Sequence, residues 1–153
     1  MRSIPRAAVG ILAGTFLAST LLVGTAPTAS SSMGGDMLRR INRKREGHGL
    51  RPLHVGHRIT RKARVHTRRM IRRNQLFHSR TAASERLRGI SWGENVGCAR
   101  SPRRLFRALM HSPEHRANIL HRGFHRAGVG VLLARGRTIC GRRSVWTTQI
   151  FLS

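Results

Sequence analysis

Hydrophobic positions recur at two different periods along this chain, and the change of period divides it. Within DMLRRINRKREGHG, opening at Asp36, Met37, Leu38 and Ile41 form one apolar stripe, and Gly47 and Gly49 close the segment. That spacing predicts a helix. RPLHVGHRI reads as a connection. TRKARVHTRRMIRRNQLFH then predicts the longest helix, with Thr60 as its N-cap. Ile59, Ala63, His66, Thr67 and Met70 share one face, and arginines cover the rest. Such a helix packs by its narrow apolar face and leaves its charge in water. A membrane-surface helix is the competing reading.

Residues 79–91 are polar and read as loop with one helical turn. WGENVGCA predicts an extended segment. Ser101–Pro102 is an N-cap followed by a good first helical residue, and Leu105, Ala108 and Leu109 face one way. Beyond Leu120 the period becomes two. AGVGVLLA alternates, RGRT offers a turn, and SVWTTQIF reads as a strand. Its Val145, Thr147 and Gln149 point one way and its Trp146, Thr148 and Ile150 the other. Helices first and antiparallel strands last suggest a layered α+β domain.

The amino-terminal stretch changes the picture of where the chain resides. Arg2 and Arg6 precede an uncharged run from Ala7 to Gly35, apolar first and then small-residue rich. This order is that of a secretory signal, and an uncleaved membrane anchor is the alternative. We expect residues 1–30 to be the signal peptide, cut between Ala26 and Ser32, residues 31–36 a short linker and residues 37–153 one domain. An exported chain with two cysteines, Cys98 and Cys140, suggests one disulfide, with two free buried thiols as the alternative.

The net charge is +25, nearly all of it arginine. Removing Arg2 and Arg6 with the leader leaves +23. A field of this size attracts polyanions. Export, the lack of base-stacking aromatics among the arginines and the lack of a nucleic-acid motif make nucleic acid an unlikely physiological partner. An anionic envelope component, lipid or wall polymer, is the partner expected; a merely solvated arginine surface is the plain alternative.

HSPEH, His111 to His115, has the spacing of the inverted zinc-protease motif. That motif needs both histidines on one unbroken helix, and Pro113 lies between them. Proline inside a helix costs about 3 kcal/mol. Ser112, Pro113 and Glu114 read better as the start of a new helix. His111 then ends one helix and His115 lies in the next. His48, His54, His57 and His66 read as core or loop histidines, and His121 and His125 as a solvated connection.

Four blocks now stand in order: Phe77-His78-Ser79; Gly93-Glu94-Asn95-Val96; Ser112 to Leu120, SPEHRANIL; and Gly128-Val129-Gly130-Val131 followed by WTTQIF, Trp146 to Phe151. Together they resemble the CAP superfamily (cysteine-rich secretory proteins, antigen five and pathogenesis-related proteins; the SCP domain), in its short bacterial secreted branch. The resemblance covers residues 37–153. It implies an α–β–α sandwich with a small antiparallel sheet between helical layers. It also implies a cleft lined by two histidines and two acids, which bind a divalent metal in some members. His78 matches the first histidine, Glu94 the acid of the GEN block and His115 the second histidine. The second acid is missing, since LFRALMHS has none, and Ser112 or a neighbour fills its place. Ser112, Pro113 and Asn118 fall to structural roles. Two imidazoles and a carboxylate are a legitimate ligand set for an ion such as zinc. The same trio could equally be held together by hydrogen bonds alone. The expected function is a secreted, non-enzymatic binding domain. The alternatives are a metal-dependent hydrolase or protease using the cleft, and a cationic envelope-active or antimicrobial protein acting by charge.

Overall fold

The structure is a computed structural model and describes residues 29–79 and 91–153. Most of the expected leader, residues 1–28, and most of the 79–91 loop lie outside these residues; residues 29 and 30 already belong to the first helix. Four helices and four strands follow in the order α1 (Ala29–Glu46), β1 (His54–Val55), α2 (His57–Arg73), β2 (Trp92–Ala99), α3 (Pro102–His111), α4 (Pro113–Ile119), β3 (Arg126–Thr138) and β4 (Gly141–Leu152). The sheet order is β1-β3-β4-β2. β3 and β2 both run antiparallel to β4, while the two-residue β1 pairs parallel with β3. The sheet is therefore mixed and not wholly antiparallel as expected. β1 was hidden inside RPLHVGHRI, because two residues carry no readable alternation.

Alternation along the strands assigns the layers. Val129, Val131, Val145 and Phe151 join Met37, Leu38, Ile41, Leu105, Leu109, Ile119 and Phe124 in one core, so α1, α3 and α4 cover that face. Trp146, Val96 and Ala134 point the other way and meet Met70 of α2. The result is an α–β–α sandwich. α2 lies close on β3 because glycine permits it. A Cβ at Gly130 would stand 2.5 Å from the Ala63 carbonyl carbon and 2.6 Å from the Arg64 nitrogen. The face of α2 read from the sequence is the buried one: Ala63, His66, Thr67 and Met70. The His66 Nε2–H donates to the Phe77 carbonyl at 2.7 Å, and its ring meets Phe77 edge-on. It is a core histidine.

Several boundaries differ from expectation. α1 begins at Ala29, so residues 31–36 continue the helix. Residues 30–35 repeat no apolar stripe in the sequence. Gly34 lets the backbone approach the sheet: a Cβ on it would lie 3.0 Å from the Val129 oxygen. α2 begins at His57 after an extended Gly56, and Thr60 lies inside it, its N–H donating to the Gly56 carbonyl. Ser101 does cap α3, accepting from the Arg104 N–H. Ala108 is exposed, and Leu105 and Leu109 are the buried residues of α3. RGRT is not the turn. β3 runs on to Thr138 through a bulge after Ala134, and the chain reverses at Ile139–Cys140.

Candidate functional site

Glu94 lies on β2 at the sheet edge, on the face that carries α2. Its side chain is fully buried, whereas that of His78 is 62% exposed. A buried carboxylate needs hydrogen-bond donors, and Glu94 has three. His78 Nδ1 and the Ser79 N–H reach Oε1 at 2.9 and 2.8 Å, and the Ser79 hydroxyl donates to Oε2 at 2.5 Å. Glu94 thus fastens the segment after α2 to the edge of the sheet. Bound through Nδ1, His78 is left with Nε2 for other contacts.

His115 comes from α4. Its Nδ1 pairs with the Ser112 hydroxyl at 2.8 Å. Ser112 stands at the N-cap position as expected, but its side chain makes no cap hydrogen bond. It orients His115 instead, from the place where the family pattern has its second acid. Burial, then the nearby His78, push the His115 imidazole below its ordinary range, and Glu114 opposes them.

The cleft, about 440 Å³, has His78, Glu94 and His115 among its lining residues. Glu114 also lines it. The sequence reading gave Glu114 only to the first turn of a helix. An amide network behind the cleft sets its two walls. Asn95 Nδ2 donates to the His115 carbonyl and to Gln149 Oε1, and Asn118 Nδ2 to Asn95 Oδ1 and the Glu94 carbonyl. Gly93 leaves room beneath it, since a Cβ there would stand 2.6 Å from Asn118 Oδ1. A second recess of about 520 Å³ shares His78 and Ser79 and is lined by Arg69 and Arg73.

His111 ends α3 and is exposed, apart from this site, so HSPEH does not form a two-histidine helix. Among the described residues, no group of three His, Cys, Asp or Glu side chains is placed to hold a metal ion. Both oxygens of Glu94 are already engaged. A divalent ion here would have to compete with those donors for Glu94. The Ser79 hydroxyl is bonded to a carboxylate and not to an imidazole, so it lacks the base that a serine nucleophile needs.

Arg45 is the residue the sequence reading missed. It lies in the basic half of α1 yet is fully buried. Nε donates to the Arg51 carbonyl, Nη1 to those of Ile119 and His121, and Nη2 to that of Phe124. It ties α1 to the turn that carries α4 into β3. One basic residue among several on a helix gave no signal that it alone points inward.

A three-layer α–β–α fold, a buried edge-strand glutamate and a histidine from each wall define this as a CAP domain. A model of the cysteine-rich secretory protein family (CAP) matches residues 38–151, and the chain belongs to that family. It is 30% identical over 134 residues to the uncharacterized protein YkwD of Bacillus subtilis (strain 168), a match over 82% of this chain and 49% of that protein. The chain thus spans about half the length of this relative. Among solved structures, an extracellular SCP-domain protein of Bacillus anthracis str. Ames superposes with a TM-score of 0.62 at 19% identity, over 80% of this chain and 41% of that one. An outer surface protein of Borrelia burgdorferi superposes with a TM-score of 0.64 at 12% identity, over 81% of this chain and 94% of that one. The disulfide Cys98–Cys140 is formed and joins β2 to the β3–β4 turn.

Proposed function

We propose that this is a secreted, non-enzymatic CAP domain that binds an anionic envelope ligand in the cleft of His78, Glu94 and His115. The observation that carries the reading is the sharing of His78 by two recesses, one holding His115 and the other Arg69 and Arg73. A phosphate-bearing chain lying across both would meet imidazole N–H donors first and guanidinium groups next. Glu94 shapes this path and does not oppose it, because its charge is buried and spent on three donors. The order of the amino-terminal residues supports secretion. Solved neighbours described as extracellular and outer-surface proteins agree with it.

A soluble glycerol-phosphate oligomer, standing in for an anionic wall polymer, tests this by NMR of the imidazole resonances. We expect saturable shifts at His78 and His115, and weaker binding in Arg69→Gln/Arg73→Gln and in His78→Ala. Unshifted imidazoles, or binding indifferent to these variants, would refute the cleft as the site. Cleavage of the oligomer during the titration would make the domain a hydrolase.

A further inference from the structure

The far end of the sheet carries an arrangement that the cleft does not use. β3 and β4 meet in a tight reversal at Ile139–Cys140, with Gly141 at φ 96. Arg137 and Arg142 are direct cross-strand partners, and like charges placed opposite destabilise a hairpin. A bulge sets Arg135 and Gly136 against Arg143, whose φ of 52 is left-handed, a conformation unusual for a residue with a side chain. A shallow recess lies between Arg135, Arg137 and Arg142. No acidic residue occurs in the chain after Glu114. None of these arginines pairs with a described carboxylate.

At the apex, Ile139 is 58% exposed, the most exposed of the large hydrophobic residues described. The apex is braced. The Ile139 N–H donates to Asn74 Oδ1 at the end of α2, the Thr138 hydroxyl to the Gly141 carbonyl, and Cys140 is bonded to Cys98. A braced turn thus presents one exposed aliphatic side chain, with Arg135, Arg137, Arg142 and Arg143 on the strands that lead into and out of it.

We propose that the β3–β4 turn is a docking surface for an anionic phospholipid bilayer. Ile139 enters the boundary between headgroups and acyl chains, and Arg135, Arg137, Arg142 and Arg143 take lipid phosphates. The phosphates relieve the repulsion between Arg137 and Arg142. A soluble polyanion would satisfy the arginines but has no use for the isoleucine. Glu94 is level with Ile150, nine residues along β4 from Gly141 at the turn, so the turn lies roughly 30 Å along the sheet at about 3.3 Å per residue, and this inference does not rest on the cleft reading.

The test is co-sedimentation of the exported chain with vesicles of phosphatidylcholine alone or mixed with phosphatidylglycerol. We expect selective partition to the mixed vesicles. Arg137→Gln/Arg142→Gln should reduce it about tenfold or more, given the contribution of each basic residue near an anionic surface. Ile139→Ser should reduce it severalfold. Arg58→Gln/Arg61→Gln, the same charge change at the other end of α2, should leave it within about twofold. Unchanged melting temperatures show that the variants fold. Equal losses in the two arginine pairs would reduce the effect to net charge and overturn the proposal. Unaltered partition of Ile139→Ser, with displacement by soluble polyphosphate, would make the target a free polyanion and overturn it too.

Discussion

Arg45 shows how far a single side chain governs the fold. Its guanidinium serves four carbonyl groups at once. Burial pulls its pKa down, yet arginine stays charged throughout the accessible pH range. Lysine offers one nitrogen where the geometry needs three. Arg45→Lys should therefore cost about 3 kcal/mol or more, since unpaired buried acceptors carry about 1–3 kcal/mol each. Denaturant titration reads this directly, and a loss comparable with that of an exposed arginine would show that the carbonyls find water instead. His115 supplies a pH dependence. Its folded pKa lies below the unfolded value, so the unfolded chain binds the proton more readily. Stability contributed by the neutral ring is present above the ordinary imidazole range and is lost as pH falls through it. His115→Gln should flatten the melting temperature between pH 7 and 5, about the imidazole range. Ser112→Ala should alter the His115 titration more than the melting temperature, because its hydroxyl serves that ring and not the helix cap. A loss of about 1 kcal/mol, as for a working N-cap, with an unmoved titration would reverse this assignment.

Elements meet here through glycine. α2 crosses β3 at Gly128 and Gly130, and an added methyl group at Gly130 would strike main-chain atoms of Ala63 and Arg64. Main chain cannot rotate away as a side-chain tip can. Gly130→Ala should therefore destabilise by about 1–3 kcal/mol, the usual range for overpacking, whereas Gly136→Ala, with open space around it, should not. Equal melting temperatures for the two variants would mean that α2 shifts freely. The long elements were legible in the sequence because each repeats its signal over several turns or pleats: the α2 face, the alternation of β4 and the Ser101–Pro102 start. The two-residue β1 and the small-residue start of α1 were not, since neither repeats anything. His78, Glu94 and His115 were legible only through the resemblance of their blocks. Nothing local in the chain says that Ser79 and Ser112 complete the hydrogen bonding of Glu94 and His115, because those contacts exist only after folding.

For the whole molecule, the charge, the disulfide and the cleft act at different places. The Cys98–Cys140 bond closes a loop with a sequence separation of 42. By chain entropy such a loop is worth about 4 kcal/mol. Reduction should therefore lower the melting temperature markedly and loosen the β3–β4 turn first, as backbone hydrogen exchange would report. Undiminished stability after reduction would mean that the core alone fixes the turn. Among the described residues no helix is long and apolar enough to cross a membrane. The cleft makes a different demand. Glu94 is held in it by three hydrogen-bond donors, and we expect the cleft to stand without an ion. Calorimetric titration of zinc into the purified chain tests that claim most directly, with Glu94→Ala and His78→Ala alongside. We expect no micromolar uptake by the wild type, and a lowered melting temperature in Glu94→Ala from the loss of its three donors. Micromolar zinc binding, abolished in both variants, would contradict the account and make the cleft a metal centre.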